Sequence, residues 1–207
     1  MICTIQSRVR LSILQFAAFA ALGALLLAPA SRAQVSAVQI DPGEAKIEFS
    51  LGGTMHTVHG TFALKSSTIR FDPSTGKMEG AIVVDAASGD SGNGSRDARM
   101  HREILESSKF TEIVFLPEHM SGALAAEGAS KLQVSGRFRL HGLEHEVTLP
   151  VDVKPDGGNL EITAHLDIPY VQWGLKNPSN FFLRVAGVVG IEIRAAGRLQ
   201  SGDAPHL

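Results

Sequence analysis

Histidines are the side chains of this 207-residue sequence best suited to take part in a reaction or to hold a metal. His141 and His145 flank a predicted turn and have Glu144 and Glu146 beside them, so the two rings could converge. A tetrahedral metal site needs three or four ligands, and the sequence offers no third ligand near this pair. The pattern therefore favours an ordinary structural role for both histidines over a metal site.

The other reactive candidates are weaker. His56 and His59 are three apart on a predicted strand, so they point to opposite faces and cannot share a metal. His101 falls on a predicted helix, where a solvated position is favoured over a role at the mouth of a cavity. No nucleophile motif or phosphate-binding glycine loop occurs, and the single cysteine, Cys3, precedes the expected mature chain. We therefore expect a protein that is not an enzyme and needs no metal or cofactor, with a histidine-dependent enzyme as the less favoured alternative.

One long helix is predicted past residue 40, with Ser95 as its cap. Asp97 lies in the first turn, where a carboxylate is favoured by the helix dipole, and Met100 and Ile104 form an apolar flank. Such a helix needs a surface to pack on, so we expect it to plug or cross a curved sheet. A loop-to-helix tie through Arg96 and Asp97 is expected at its start.

The rest of the chain reads as strands, because apolar residues recur at every second position between tight turns. This pattern predicts an all-β protein with one or two short helices, the second over Asn177–Val185, arranged as an antiparallel barrel or sandwich. Gly60, Gly80 and Gly136 are in phase with the apolar positions; they favour either a hollow interior or bends required for closure. The predicted strands are 44–51, 56–64, 67–71, 77–87, 111–116, 118–124, 132–140, 147–153, 160–168 and 188–198.

The N-terminus has the order of a secretory signal peptide: arginines, an apolar run over 11–27, then small residues before a cut after Ala33. A cut after Ala30 or Ala37 and an uncleaved anchor are the alternatives, the run being short for a membrane span. Removing residues 1–33 takes away three arginines and no acid, leaving a formal charge of −5 and no cysteine. We therefore expect a periplasmic or secreted protein with no disulfide, no nucleic-acid partner and no transmembrane segment after cleavage.

A series of short motifs occurs in a fixed order and spacing over residues 38–199: Asp41-Pro42, Ile47-x-Phe49, Val58-x-Gly60-x-Phe62, Arg96-Asp97-x-x-x-His101, Phe110 before Ile113-x-Phe115, Gly136, Leu140-His141-Gly142-Leu143 and Val147-Thr148-Leu149. Together these motifs resemble the YceI-like family, with 200–207 as a flexible tail. The resemblance implies a lipocalin-like antiparallel barrel whose apolar interior holds a polyisoprenoid, in a protein that is sometimes a dimer. Two segments depart from the family pattern, at 43–45 and 173–182.

The functional expectation is a non-catalytic binding protein that holds a polyisoprenoid or similar amphipathic lipid. An envelope structural or interaction module, with a barrel filled by its own side chains, is the alternative. Charged residues at the out-of-phase positions, such as Lys46 and Arg194, argue against an outer-membrane barrel and predict an outer face in water. The predicted lining residues are Phe49, Val58, Phe62, Ile82, Met100, Ile104, Phe115, Phe138, Leu166, Trp173 and Phe181.

Overall fold

A computed structural model describes residues 35–125 and 127–201 of the chain. The signal peptide predicted over residues 1–33 lies outside the described residues, as do positions 202–207 of the predicted tail. Within the described part the fold is a meander of nine antiparallel strands with one short α-helix, which continues into a π-helical turn, and one 3₁₀ turn over Ala86–Ser88. The strands are β1 (Ser36–Gly53), β2 (Val58–Phe62), β3 (Leu64–Phe71), β4 (Met78–Asp85), β5 (Glu112–Ser121), β6 (Ser130–Leu140), β7 (Leu143–Asp156), β8 (Asn159–Ile168) and β9 (Val185–Ser201).

The sheet closes into a barrel because the long strand β1 pairs along one edge with β9 and along the other with β2 and β3. Strands β2 and β3 follow one another beside β1, so together they occupy one position and the closed ring has eight. Closure leaves no long unpaired edge, which removes the usual site of edge-to-edge aggregation. The prediction of an antiparallel lipocalin-like barrel is confirmed.

The predicted turn at Asp41-Pro42-Gly43 lies inside β1 as an outward bulge. The pairing of β1 with β9 shifts between Ile40 and Ala45, and Asp41 Oδ1 accepts a hydrogen bond of 2.9 Å from the amide of Gly43. Turn-forming residues here bend a continuing strand, as bulges do in closed barrels. The first strand therefore begins at Ser36 and not at residue 44.

Two predicted strands, 111–116 and 118–124, are one strand, β5. The first of them was expected to end before Pro117, because proline cannot donate to the sheet ladder. In the structure the β5–β6 register shifts between Pro117 and His119, so the proline lies at a bulge. The strand continues past it to Ser121.

The helix, α1 (Gly94–Arg99), continues into a π-helical turn over Met100–Ile104. Its cap is Asn93, whose side chain accepts from the amide of Arg96 at 3.0 Å, and not Ser95 as predicted. Asparagine and serine are equally good caps, so the preceding glycine-rich loop decides where the helix begins. The π-helical turn carries Met100 and Ile104 across one end of the barrel, which is the plugging position predicted for the helix.

No second helix forms over 177–185, which corrects that prediction. Asn177 accepts a hydrogen bond from the amide of Ser179 at 2.8 Å, and Asn180 accepts from the amides of Phe182 and Leu183 at 2.9 and 2.8 Å. These local side-chain bonds offer the backbone an alternative to helix, a known competition at asparagine. The chain then enters β9 at Val185, and the first two residues of the predicted tail, 200–201, pair with β1.

The core is the inward row of each strand, with Phe71, Met120 and Leu132 at the end remote from α1. The in-phase glycines do not create the hollow. A Cβ at Gly136 would lie 2.2 Å from the carbonyl oxygen of Leu116, and one at Gly60 would meet Asp90 and Phe49. These glycines allow neighbouring backbones and rings to approach closely, which supports the alternative of bends and close contacts.

Candidate functional site

The barrel interior contains a cavity of about 210 Å³, here called the inner cavity. All thirty of its lining residues are apolar, and they come from every strand of the barrel. Inward positions of a strand recur with period two, so each strand contributes an alternating row such as Ile162, Ala164 and Leu166 of β8. The rows therefore do not meet in a filled centre.

A second cavity of about 360 Å³, the outer cavity, lies at the α1 end of the barrel. Its wall combines strand ends with Met100 and Ile104 of the π-helical turn and with Leu183 of the loop before β9. Polar side chains line it only where α1 and the loops approach. These are His56, Ser91, Arg96 and Arg99, with the phenol of Tyr170 donating to the carbonyl oxygen of Ala186 at 2.8 Å.

The two cavities share a wall formed by Phe62, Ile113, Ile168 and Ile191. At this junction the rings of Phe49 and Phe62 pack with their centroids 5.5 Å apart. The two cavities are therefore adjacent, with an aromatic pair between them. The polar side chains border the outer cavity.

Nine of the eleven predicted lining residues lie on the walls of the two cavities. Phe62 borders both cavities, and contact with a ligand stays a prediction for all nine. The outer cavity has Phe49, Val58, Met100 and Ile104, and the inner cavity has Ile82, Phe115, Phe138 and Leu166.

The other two predicted lining residues lie elsewhere. The indole of Trp173 stacks flat on the ring of His145, 4.0 Å between centroids, and also packs near Phe138. It fills space beside β6 and β7 and does not border a cavity. Phe181 is 90% exposed, because its segment forms a loop and not the predicted helix that would have turned it inward.

Arginine and aspartate at the start of α1 tie down the preceding loop, through Ser91. Arg96 donates from Nε to Ser91 Oγ at 2.7 Å and from a terminal nitrogen to the Ser91 carbonyl at 2.8 Å. Asp97 accepts from the hydroxyl and the amide of Ser91. Burial acts to raise the pKa of Asp97, but these hydrogen bonds outweigh it and leave that pKa below its usual value.

Glu103 links the helical segment to the loop before β9. Its carboxylate lies 3.0 Å from Arg102, 3.1 Å from Lys176 and 3.5 Å from Arg99. Hydrogen bonds from Arg102 and Lys176, with the positive charges around them, lower the pKa of Glu103 to about 2. The carboxylate is therefore ionised at any physiological pH.

The histidines do not assemble into a reactive or metal-binding group. His141 lies 2.6 Å from a carboxylate oxygen of Glu106 and packs against Phe110, whereas His145 stacks on Trp173. His101 is half-buried and borders neither cavity: its Nε2 lies 2.8 Å from the Gly89 carbonyl oxygen, which fastens the helical segment to the loop. Within residues 35–125 and 127–201, no three histidine, cysteine or acidic side chains are grouped as metal ligands.

Sequence reasoning missed the polar residues of the outer cavity, Arg99 and Tyr170 among them. Arg99 reads as part of a polar helix face, and Tyr170 follows the proline that ends β8. No local pattern sets these residues apart. Among the described residues, no helix has the length and apolar character required to cross a membrane.

Known structures share this barrel. BcnA of Burkholderia cenocepacia matches with a TM-score of 0.63 at 19% identity, covering 76% of this chain and 98% of that chain. A polyisoprenoid binding domain from Saccharophagus degradans, implicated in plant cell wall breakdown, matches with a TM-score of 0.59 at 14% identity, covering 79% and 98%. The YceI protein of Campylobacter jejuni matches with a TM-score of 0.58 at 15% identity, covering 70% and 86%.

At these identities the likeness shows the fold alone. No curated protein matches the sequence at a significant level. The profile of the YceI-like domain matches residues 38–196, which is most of the chain and nearly all of the barrel. The protein therefore belongs to the YceI-like domain family.

Proposed function

We propose that this protein is a non-catalytic binding protein of the periplasm or the extracellular space that holds a polyisoprenoid or similar amphipathic lipid in its barrel. The single observation that carries the proposal is the inner cavity, whose lining is entirely apolar. Such a space gives no hydrogen bond to a polar molecule, whereas an apolar chain loses none on entering it. Its occupant is therefore hydrocarbon.

The outer cavity adds the second half of the ligand's chemistry. Arg96, Arg99 and His56 border it, so a polar head can remain there while the chain extends past Phe62 into the inner cavity. Burial of each methylene contributes about 0.8 kcal/mol, so a chain of a few isoprene units offsets the cost of association. An amphipathic lipid suits this arrangement better than a pure hydrocarbon.

Two further observations support the proposal. The Saccharophagus degradans domain with the same fold is described as polyisoprenoid binding. Residues 1–33 have the composition of a secretory signal, which supports a location outside the cytoplasm. Alkaline phosphatase fused after residue 40 tests the location: activity is expected in cells, and loss of export on deleting residues 11–27 is the expected control.

A filled-cavity variant tests the binding. Ala164 is buried and lines the inner cavity, so Ala164→Phe places a ring in the path of the chain. Native mass spectrometry of the purified protein, with lipid extraction, should show bound lipid in the wild type and at least about tenfold less in the variant, two lost methylenes being worth roughly that factor.

Thr163→Phe is the matched control, because Thr163 is the neighbouring position on β8 and points outward. Its lipid content should equal that of the wild type. A wild-type protein that carries no lipid and takes up no added isoprenoid alcohol would refute the proposal, as would an Ala164→Phe variant that is folded and still fully loaded.

A further inference from the structure

Exposed apolar side chains gather on two loops at the α1 end of the barrel, beside the outer cavity. Phe181 and Phe182 are 90% and 89% exposed, and Met55 is 85% exposed. The phenyl rings contact each other edge to face, with centroids 5.1 Å apart. Solvent-exposed aromatic pairs of this kind are unfavourable in water and mark a surface that meets another apolar phase.

The two loops are held in place. Thr54 donates from its amide to the carbonyl of Arg184 at 2.9 Å, and its hydroxyl accepts from the amide of Arg184 at 3.0 Å. The side-chain oxygen of Asn180 accepts hydrogen bonds from the amides of Phe182 and Leu183. The phenyl rings are therefore presented by an ordered turn. We call Met55, Phe181, Phe182 and Leu183 the apolar rim.

The apolar rim is continuous with the wall of the outer cavity. Leu183 is both partly exposed and part of the outer cavity wall, and so are the loop residues His56 and Pro178 that flank the rim. A surface that covered the rim would also face this end of the outer cavity.

The charge around the rim differs from that of the whole protein. The chain has a formal charge of −2, yet residues 168–191 contain Lys176 and Arg184 and no acid, and residues 49–60 contain no acid either. The flanking acids lie farther along the strands and are paired: Glu48 with Lys46, and Asp167 and Glu192 with His165. Arg96, Arg99 and Arg102 add positive charge from the helical segment, against Asp97 and Glu103. A basic border around an aromatic tip is complementary to an anionic phospholipid surface, where each basic residue contributes about 1 kcal/mol.

We propose that the apolar rim docks this protein on anionic phospholipid membranes, with Phe181 and Phe182 inserted at the interface and Arg184 near the headgroups. The role of this docking, exchange of lipid between bilayer and barrel, rests on the proposed function. The docking itself does not require a loaded barrel. It is therefore measurable on its own.

Cosedimentation with vesicles tests the docking. Wild-type protein is expected to bind vesicles of mixed phosphatidylcholine and phosphatidylglycerol more tightly than vesicles of phosphatidylcholine alone. The double variant Phe181→Ala/Phe182→Ala should bind about a hundredfold more weakly, since each lost phenyl insertion is worth about a factor of ten. Arg184→Glu should lose the preference for anionic vesicles, and it leaves the loop tie intact because Thr54 binds only the backbone of Arg184.

Leu199→Ala is the control, because Leu199 is 38% exposed at the opposite end of the barrel. It should bind vesicles as the wild type does. Circular dichroism and melting establish that each variant is folded, and sedimentation velocity detects a second copy of the chain on the rim.

Equal vesicle binding by the wild type and the double phenylalanine variant would overturn the docking proposal. A wild-type protein that does not bind vesicles would also overturn it. This holds whether or not the wild type forms a dimer that the double variant abolishes. Native mass spectrometry on the same samples separates the two proposals: a double variant that keeps its lipid but loses vesicle binding leaves the binding function intact. A wild type without lipid that still docks would refute the binding function alone.

Discussion

At the scale of single residues, side-chain placement separates the rows that face the cavity from those that face water. Lys46 and Arg194 of the out-of-phase rows are exposed and lie near Glu48, at 2.7 and 3.9 Å. Pairs of this kind on a solvated face contribute little to stability individually. They confirm the predicted outward direction of these positions.

The titration of Glu103 is a residue-scale prediction. Its folded pKa of about 2 lies below the ordinary 4.5, so the stabilisation it provides is complete above pH 4.5 and is lost as the pH falls through about 2. The carboxyl carbon shift in NMR should therefore titrate near pH 2 in the wild type. In Arg102→Gln the midpoint should move up toward 4.5, because the largest of the hydrogen bonds that lower it is removed.

Lys46→Gln is the control for this titration, because it removes a cation that pairs with Glu48 and not with Glu103. A Glu103 midpoint near 4.5 in the wild type would show that the links to Arg102 and Lys176 are not maintained in solution.

At the scale of elements, local hydrogen bonds set where helices begin and whether they form. Asn93 caps α1, and Asn180 binds the amides of a turn where the sequence had predicted a helix. The side chains of both residues accept hydrogen bonds from backbone amides, and only the chain that follows distinguishes a helix cap from a turn.

The cap of α1 gives the element-scale prediction. Asn93→Ala should lower the free energy of unfolding by about 1 kcal/mol, because the amide of Arg96 loses its acceptor. Ser95→Ala, at the position that the sequence had favoured, should change it by less than about 0.5 kcal/mol. Urea titrations followed by tryptophan fluorescence measure both, and the reverse order would contradict the assignment of Asn93 as the cap.

At the scale of the whole molecule, the proposed function requires the two adjacent cavities to act as one path for a chain. Phe62 borders both cavities, so we expect its size to control passage between them. Closure of β1 on β9 fixes the width of that path, because no strand can move outward without breaking pairs on both of its edges.

Narrowing the junction should therefore discriminate by chain length. Phe62→Trp is expected to weaken binding of the long alcohol undecaprenol by about tenfold or more, because at least two of its methylenes are then no longer buried. Binding of the shorter alcohol farnesol, which occupies one cavity, should change by less. Competition with a fluorescent isoprenoid measures both. Val189→Ile, a smaller enlargement in the outer cavity wall, is the control for general crowding. Equal losses of affinity for the two alcohols in Phe62→Trp would contradict a continuous path.

Alternation along the chain predicted the strands and their inward rows, and narrowed the fold to an antiparallel barrel or sandwich. The order and spacing of motifs over residues 38–199 then indicated the family and its barrel. These features are local, because period-two burial is written into neighbouring residues. Of the nine predicted lining residues on the cavity walls, seven lie on strands for that reason, and Met100 and Ile104 lie on the π-helical turn. The signal peptide and the identity of the ligand stay predictions.

Only the tertiary structure decided the rest. Whether Pro117 ends a strand or lies at a bulge depends on its partner in β6, and the position of Trp173, in the loop after β8, depends on its stacking with His145 of β7. The exposed position of Phe181 depends on the loop that Thr54 and Asn180 hold. Each outcome rests on contacts between residues distant in sequence or on competing local hydrogen bonds, and residue patterns carry no information on which of these prevails.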